Sequence, residues 1–114
     1  MSVDRDSSSE ARDQAIGLAR AILEGRVELI EGARLITYLL PTLGLQDLTD
    51  LMPFAMIDDE SDDIPTGPER RYWNPDALEK KDQLLEQVMV RHASAAIEAC
   101  RTIILRLEDR RRTL

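Results

Sequence analysis

An all-α helical bundle is the fold this sequence predicts, and three observations predict it. Apolar residues recur at three- and four-residue spacing through most of the chain, no segment alternates with period two, and no repeat of 20 to 50 residues is present. The 114 residues, 43% hydrophobic and 32% charged, have the size and composition of one domain with a self-sufficient core. Residues 1–9 read as a flexible N-terminus and 10–112 as a single helical domain.

Ser7, Ser8 and Ser9 offer N-caps ahead of Glu10, after which Ala11, Ala15, Leu18, Ala19, Ile22 and Leu23 mark one face of a helix. Gly25 stops it. Val27, Ile30, Ala33, Leu35, Ile36, Leu39 and Leu40 begin a second helix almost at once, and Pro41 is expected to close it. So short a connection makes the two antiparallel. Gly17 and Gly32 fall inside these helices, where each costs about 1 kcal/mol against Ala, and close approach of the two backbones is the expected compensation.

Thr42, Leu43 and Gly44 read as a turn, and Leu45, Leu48, Leu51, Met52 and Phe54 as a short third helix interrupted at Pro53. Residues 57–75 then read as a long ordered loop, rich in charge and proline, that carries Tyr72 and Trp73. Asn74 caps the last helix and Pro75 suits its first position. Its stripe is Leu78, Leu85, Val88, Met89, His92, Ala96, Ala99, Cys100, Ile103 and Leu107, widened by Val90, Ile97 and Ile104. A helix reaching to about residue 110 would outrun the ~35 Å breadth of a globule of this size. Either it breaks between Arg91 and Ser94, or it protrudes and a partner covers it; Arg110, Arg111 and Arg112 suit its negative end.

The charge balance narrows the function. Twenty-two acids against 15 bases give a net charge of −7, and residues 1–63 alone carry 14 acids and 5 bases. Phosphate binding depends on clustered Lys and Arg, so nucleic acid is not an expected partner. Asp58, Asp59, Glu60, Asp62 and Asp63 form the acidic peak, which would steer a basic protein partner. No apolar run approaches the ~20 residues of a membrane span, and the N-terminus lacks the pattern of a secretory signal, so a cytoplasmic protein with no membrane partner is expected.

Catalytic chemistry finds few residues. A nucleophilic dyad would need His92, which lies on the apolar stripe as a core or boundary histidine, about 12 Å along the helix from Cys100. The acidic run lacks the alternation and central glycine of a calcium loop, and nothing marks a carboxylic acid in an apolar pocket. No enzyme, no metal and no cofactor are expected. Arg70, Arg71, Tyr72 and Trp73 mix basic and aromatic groups, but beside five acids the plainer reading is a Trp73 plug over the bundle, with Arg70 or Arg71 paired to the acidic run. Asp58, Asp59, Glu60, Asp62, Asp63, Arg70 and Trp73 are the candidate partner-binding residues.

Two patterns carry a resemblance. ARxILxGxxxLIEGAR, from Ala19 to Arg34, leads to F-x-x-I-D-D-E-x-D-D-x-P-x-G-x-x-R-x-x-W, from Phe54 to Trp73, with a long helix after it. The chain resembles small helical bacterial proteins, some of which are similar to immunity proteins of interbacterial toxin systems. That resemblance implies a non-catalytic module that neutralises a toxin domain by stoichiometric binding through its acidic surface. The alternative is a structural helical module that self-associates as a homodimer through its C-terminal helix.

Overall fold

The computed structural model describes residues 3–65 and 67–112, with side chains for 8–65 and 68–108. Four helices follow one another: α1 (Val3–Leu23), α2 (Leu29–Leu43), α3 (Met52–Glu60) and α4 (Pro75–Arg112), with short 3-10 segments at Thr49–Leu51 and Gly67–Tyr72. No strand occurs among the described residues. Neighbours in space form a closed ring, α1 on α2, α2 on α3, α3 on α4 and α4 back on α1. The core fills that ring with Ala15, Ala19, Ile36, Phe54, Ile57 and Ile103.

The expected antiparallel hairpin is present. A Cβ on Gly32 would meet Ile22, while Gln14 and Leu18 share a groove with Leu35 and Leu39, so α1 and α2 run in opposite directions. Both helices end the same way. Gly25 (φ 76°) and Gly44 (φ 70°) take the left-handed conformation that a side chain would resist. Their N–H groups donate to Ile22 and Pro41, and the next residues, Arg26 and Leu45, donate to Ala21 and Leu40 at 2.8 and 3.0 Å. This double closure satisfies carbonyls that a helix end leaves unpaired.

Three boundaries differ from the sequence reading. α1 starts at Val3, so Ser7, Ser8 and Ser9 lie within the helix; no Gly or Pro lies between residues 3 and 16, and extending a formed helix by one residue is cheap. Met1 and Ser2, and the side chains of Arg110, Arg111 and Arg112, lie outside the described residues. Pro41 sits inside α2, which continues to Leu43. A proline in the last turn forfeits one backbone bond, and the closure at Gly44 ends the helix instead. Pro53 does not interrupt α3 but occupies its first turn, where a missing N–H costs nothing, and α3 runs on through the first half of the acidic run.

α4 has the extent expected, and of the two alternatives it takes the unbroken one, continuous through Arg91 to Ser94 over 38 residues. The molecule accommodates it by being elongated, 53 × 28 × 25 Å. Asn74 caps it as expected, its Oδ1 accepting from the Asp76 N–H at 2.8 Å. Val88, Ala96, Ala99, Cys100, Ile103 and Leu107 are buried along one stripe, whereas Val90, assigned to that stripe from the sequence, is 81% exposed.

The two interior glycines part company. Gly32 carries the close approach: a Cβ there would lie 2.6 Å from Ile22 Cγ1 and closer still to Cδ1. Gly17 has nothing within 4 Å of where its Cβ would stand, so no such contact explains it. Gly32→Ala is therefore expected to destabilise by about 1 to 2 kcal/mol, overpacking outweighing the gain in helix propensity, while Gly17→Ala stabilises by up to about 1 kcal/mol. Urea denaturation of the two variants, read by circular dichroism, checks the opposite signs.

Candidate functional site

The acidic run is a rigid corner. Asp58, Asp59 and Glu60 form the last turn of α3, and Asp62 and Asp63 follow the buried Ser61 in the turn beyond it. The sequence reading of one loop from 57 to 75 is corrected on this point, because the charges that made it look like a loop lie at a helix end, all but the half-buried Asp58 exposed, while Ile57 and Ile64 anchor the backbone in the interior.

The corner is braced from two sides. From α2, Arg34 donates to the Ser61 carbonyl, to the Ile64 carbonyl at 3.2 Å and to Ser61 Oγ at 3.4 Å. A cation just beyond the last turn of α3, on the carbonyl of its capping residue Ser61, also complements the helix dipole. From α4, Arg91 and His92 reach the two oxygens of Glu60 at 2.9 and 2.6 Å, and Lys81 Nζ lies 2.6 Å from Asp63. His92 is thus the boundary histidine expected, with one carboxylate partner. The hydrogen bond from Lys81 holds the Asp63 carboxyl below its ordinary value. Asp59 and Asp62 remain exposed, and Asp58 is half-buried.

Arg70 does not pair with this run. Its guanidinium makes a two-pronged contact with Asp82 of α4, at 3.0 and 2.8 Å, and donates to the Pro65 carbonyl at 3.1 Å. A planar fork matches a carboxylate better than a scattered set of acids does. That bond holds Asp82 below the usual carboxylate value and raises Arg70 above its own. Arg71 instead lies over the Tyr72 ring, 5.6 Å from its centroid. Trp73 is 39% exposed, so the expected plug is partial, and Lys81 Nζ stands 5.9 Å from its ring centroid.

Of the candidate residues, Asp62, Asp63 and Trp73 come together. With Arg34, Pro65 and Glu69 they line a cleft of about 430 Å³. Asp58, Asp59 and Glu60 sit on the adjoining helix end, and Arg70 fastens the 3-10 segment to α4. Two features escaped the sequence reading. One is the Arg34 brace, signalled only by a lone cation between Ala33 and Ile36 in an apolar helix. The other is an apolar groove of about 530 Å³ between α1 and α2, lined by Gly17, Leu18, Leu35, Tyr38 and Leu39, in which Tyr38 is 84% exposed.

Among the described residues no group of three or more His, Cys, Asp or Glu side chains is placed to hold a metal ion, and no helix is long and apolar enough to cross a membrane. The family described as Protein of unknown function (DUF2489) matches residues 3–103. No curated protein and no solved structure matches the chain.

Proposed function

The chain belongs to the DUF2489 family, whose function is unknown, and on the geometry of its acidic corner we propose that it is a non-catalytic protein-binding module of immunity type, which neutralises a basic toxin domain in the cytoplasm by stoichiometric binding through its acidic surface. One observation carries this reading. Asp58, Asp59 and Asp62 stand on a corner that Arg34, Lys81, Arg91 and His92 hold in place, so the charge is presented by a fixed surface. Fixed charge of one sign speeds the encounter with an oppositely charged partner, and a rigid surface loses little entropy on binding. The reading includes no reaction, metal or cofactor, and neither nucleic acid nor membrane as partner.

The test uses Asp58→Asn, Asp59→Asn and Asp62→Asn together, which leaves the braced Glu60 and Asp63 intact. A partner recovered from the native host with tagged wild-type chain is purified, and association is followed at low and high salt. The triple variant is expected to associate roughly tenfold more slowly at low salt, with a flatter salt dependence and a melting temperature changed little, because Asp59 and Asp62 are exposed and the half-buried Asp58 is replaced by an amide of the same shape. Unchanged rates would refute the acidic surface.

Exposed apolar residues on α4, Val90 and the 64%-exposed Leu105, favour a second reading, self-association through that helix. Sedimentation of the wild type separates the two: the binding module is a monomer, and a dimer dispersed by Val90→Glu would transfer the argument to α4.

A further inference from the structure

The cleft beside the acidic corner has a composition of its own. Trp73 and Pro65 give it apolar walls, and Asp62, Asp63 and Glu69 set three carboxylates against two cations, Arg34 in the lining and Lys81 beside Asp63 and Trp73. The Arg34 guanidinium donates to the backbone carbonyls of Ser61 and Ile64. We propose that this cleft receives an arginine side chain of the protein partner. The inference rests on the protein-binding reading and names the chemistry of the group that is bound.

Charge complementarity supports the choice of a cation, and the protein supplies an internal precedent for it. Lys81 places its ammonium 2.6 Å from Asp63 and 5.9 Å from the Trp73 ring centroid, so these two groups together already hold a positive charge. Arginine suits the cleft better than a second lysine. Its guanidinium stacks flat on an indole, forks to carboxylates and sheds water more readily, while its aliphatic stem can lie along Pro65. A volume of about 430 Å³ is at the lower end of the range for ligand sites, which suits one long side chain. Lys81 then acts as a resident competitor, neutralising one of the carboxylates that the incoming guanidinium would use.

Trp73 is the only tryptophan in the chain, so its emission reports on the cleft directly. The probes are three blocked tripeptides, Gly-Arg-Gly and its lysine and citrulline counterparts, titrated into the intact protein. The arginine peptide is expected to shift Trp73 emission saturably in the millimolar range, the lysine peptide to bind roughly fivefold more weakly, and the citrulline peptide, equal in shape but uncharged, to give no saturable change. Asp62→Asn should weaken the arginine peptide about fivefold, and Lys81→Met should tighten it by about the same factor, a gain that loss of a merely structural contact would not produce. Asp62 is exposed, so its variant decides the matter even where Lys81→Met fails to fold. No saturable response to the arginine peptide, or an equal response to citrulline, overturns the proposal. If the peptide fails while the triple Asn variant still slows the partner, the cleft falls and the acidic surface stands. If the peptide binds, and the partner responds to Asp62→Asn alone but ignores Asp58→Asn with Asp59→Asn, the cleft stands and the wider acidic-surface reading falls.

Discussion

Arg34→Met is expected to lower the stability of the protein by about 3 kcal/mol and its melting temperature by roughly 10 to 15 °C. The methionine keeps most of the apolar stem but withdraws the donors from the Ser61 and Ile64 carbonyls, which lie where the chain leaves α3. Ser61 and Ile64 are both buried, so these acceptors cannot simply turn to water, and an unsatisfied buried acceptor costs about 1 to 3 kcal/mol. Arg34→Lys should recover only part of the loss, because one terminal nitrogen of Arg34, Nη2, makes all of these bonds, and the shorter, strongly hydrated lysine ammonium does not reproduce its position. Thermal denaturation of the three proteins measures this. The same variant should slow partner association although no acid has been touched, since the corner that carries the acids loses its brace. A melting temperature within 2 or 3 °C of the wild type would mean that the brace contributes nothing.

The second large effect is alkaline. Cys100 is fully buried in α4, and burial pushes its thiol up to about 11, against an ordinary value of 9.0. Between those values the unfolded chain gives up the thiol proton and the folded chain keeps it. The unfolded state then binds fewer protons, and stability falls as pH rises, by about 2 to 3 kcal/mol in all. Below pH 9 this group contributes no pH dependence. Urea midpoints of the wild type and Cys100→Ala at pH 8, 9, 10 and 10.5 isolate the effect: the wild type should lose stability more steeply above pH 9, although lysines and tyrosines titrate in both. Equal slopes would show that the thiol is reached by water. The same burial makes Cys100 inert to thiol reagents at neutral pH until the protein unfolds.

What could be read in the sequence was local. The helix hairpin followed from apolar spacing and Gly25, and the start of α4 from Asn74 and Pro75, because each depends on residues a turn or two apart. What could not be read depended on distant partners. Asp58, Asp59 and Glu60 look like loop residues when only their neighbours are considered, and it is Arg34, on another helix, that makes a helix end there worthwhile. Arg70 stands near five acids in sequence but meets Asp82, which the first turns of α4 bring round to it. Gly32 and Gly17 are indistinguishable as letters in a helix, and only the position of Ile22 separates them. The length of α4 was legible, and the alternative of a break between Arg91 and Ser94 arose only because a globule of this size was taken as round, whereas the ring of helices is elongated. The acidic run, His92 and Trp73 were recognisable as residues of interest, while the cleft that joins Asp62 and Asp63 to Trp73 is a product of the fold.

The closed ring of helices also sets an order of events during synthesis. α1, α2 and α3 leave the ribosome before α4, which lies on both the first and the third of them. Until α4 arrives, the hairpin and α3 exist with Ala15, Ala19, Phe54 and Ile57 lacking their final cover. At about 5 to 20 residues per second, the 38 residues of α4 take roughly 2 to 8 s to make, an interval in which the nascent chain is open to chaperones, proteases and its own neighbours on the same messenger. α4 is thus a clasp as well as a surface, and the ring becomes durable only once that helix has been translated.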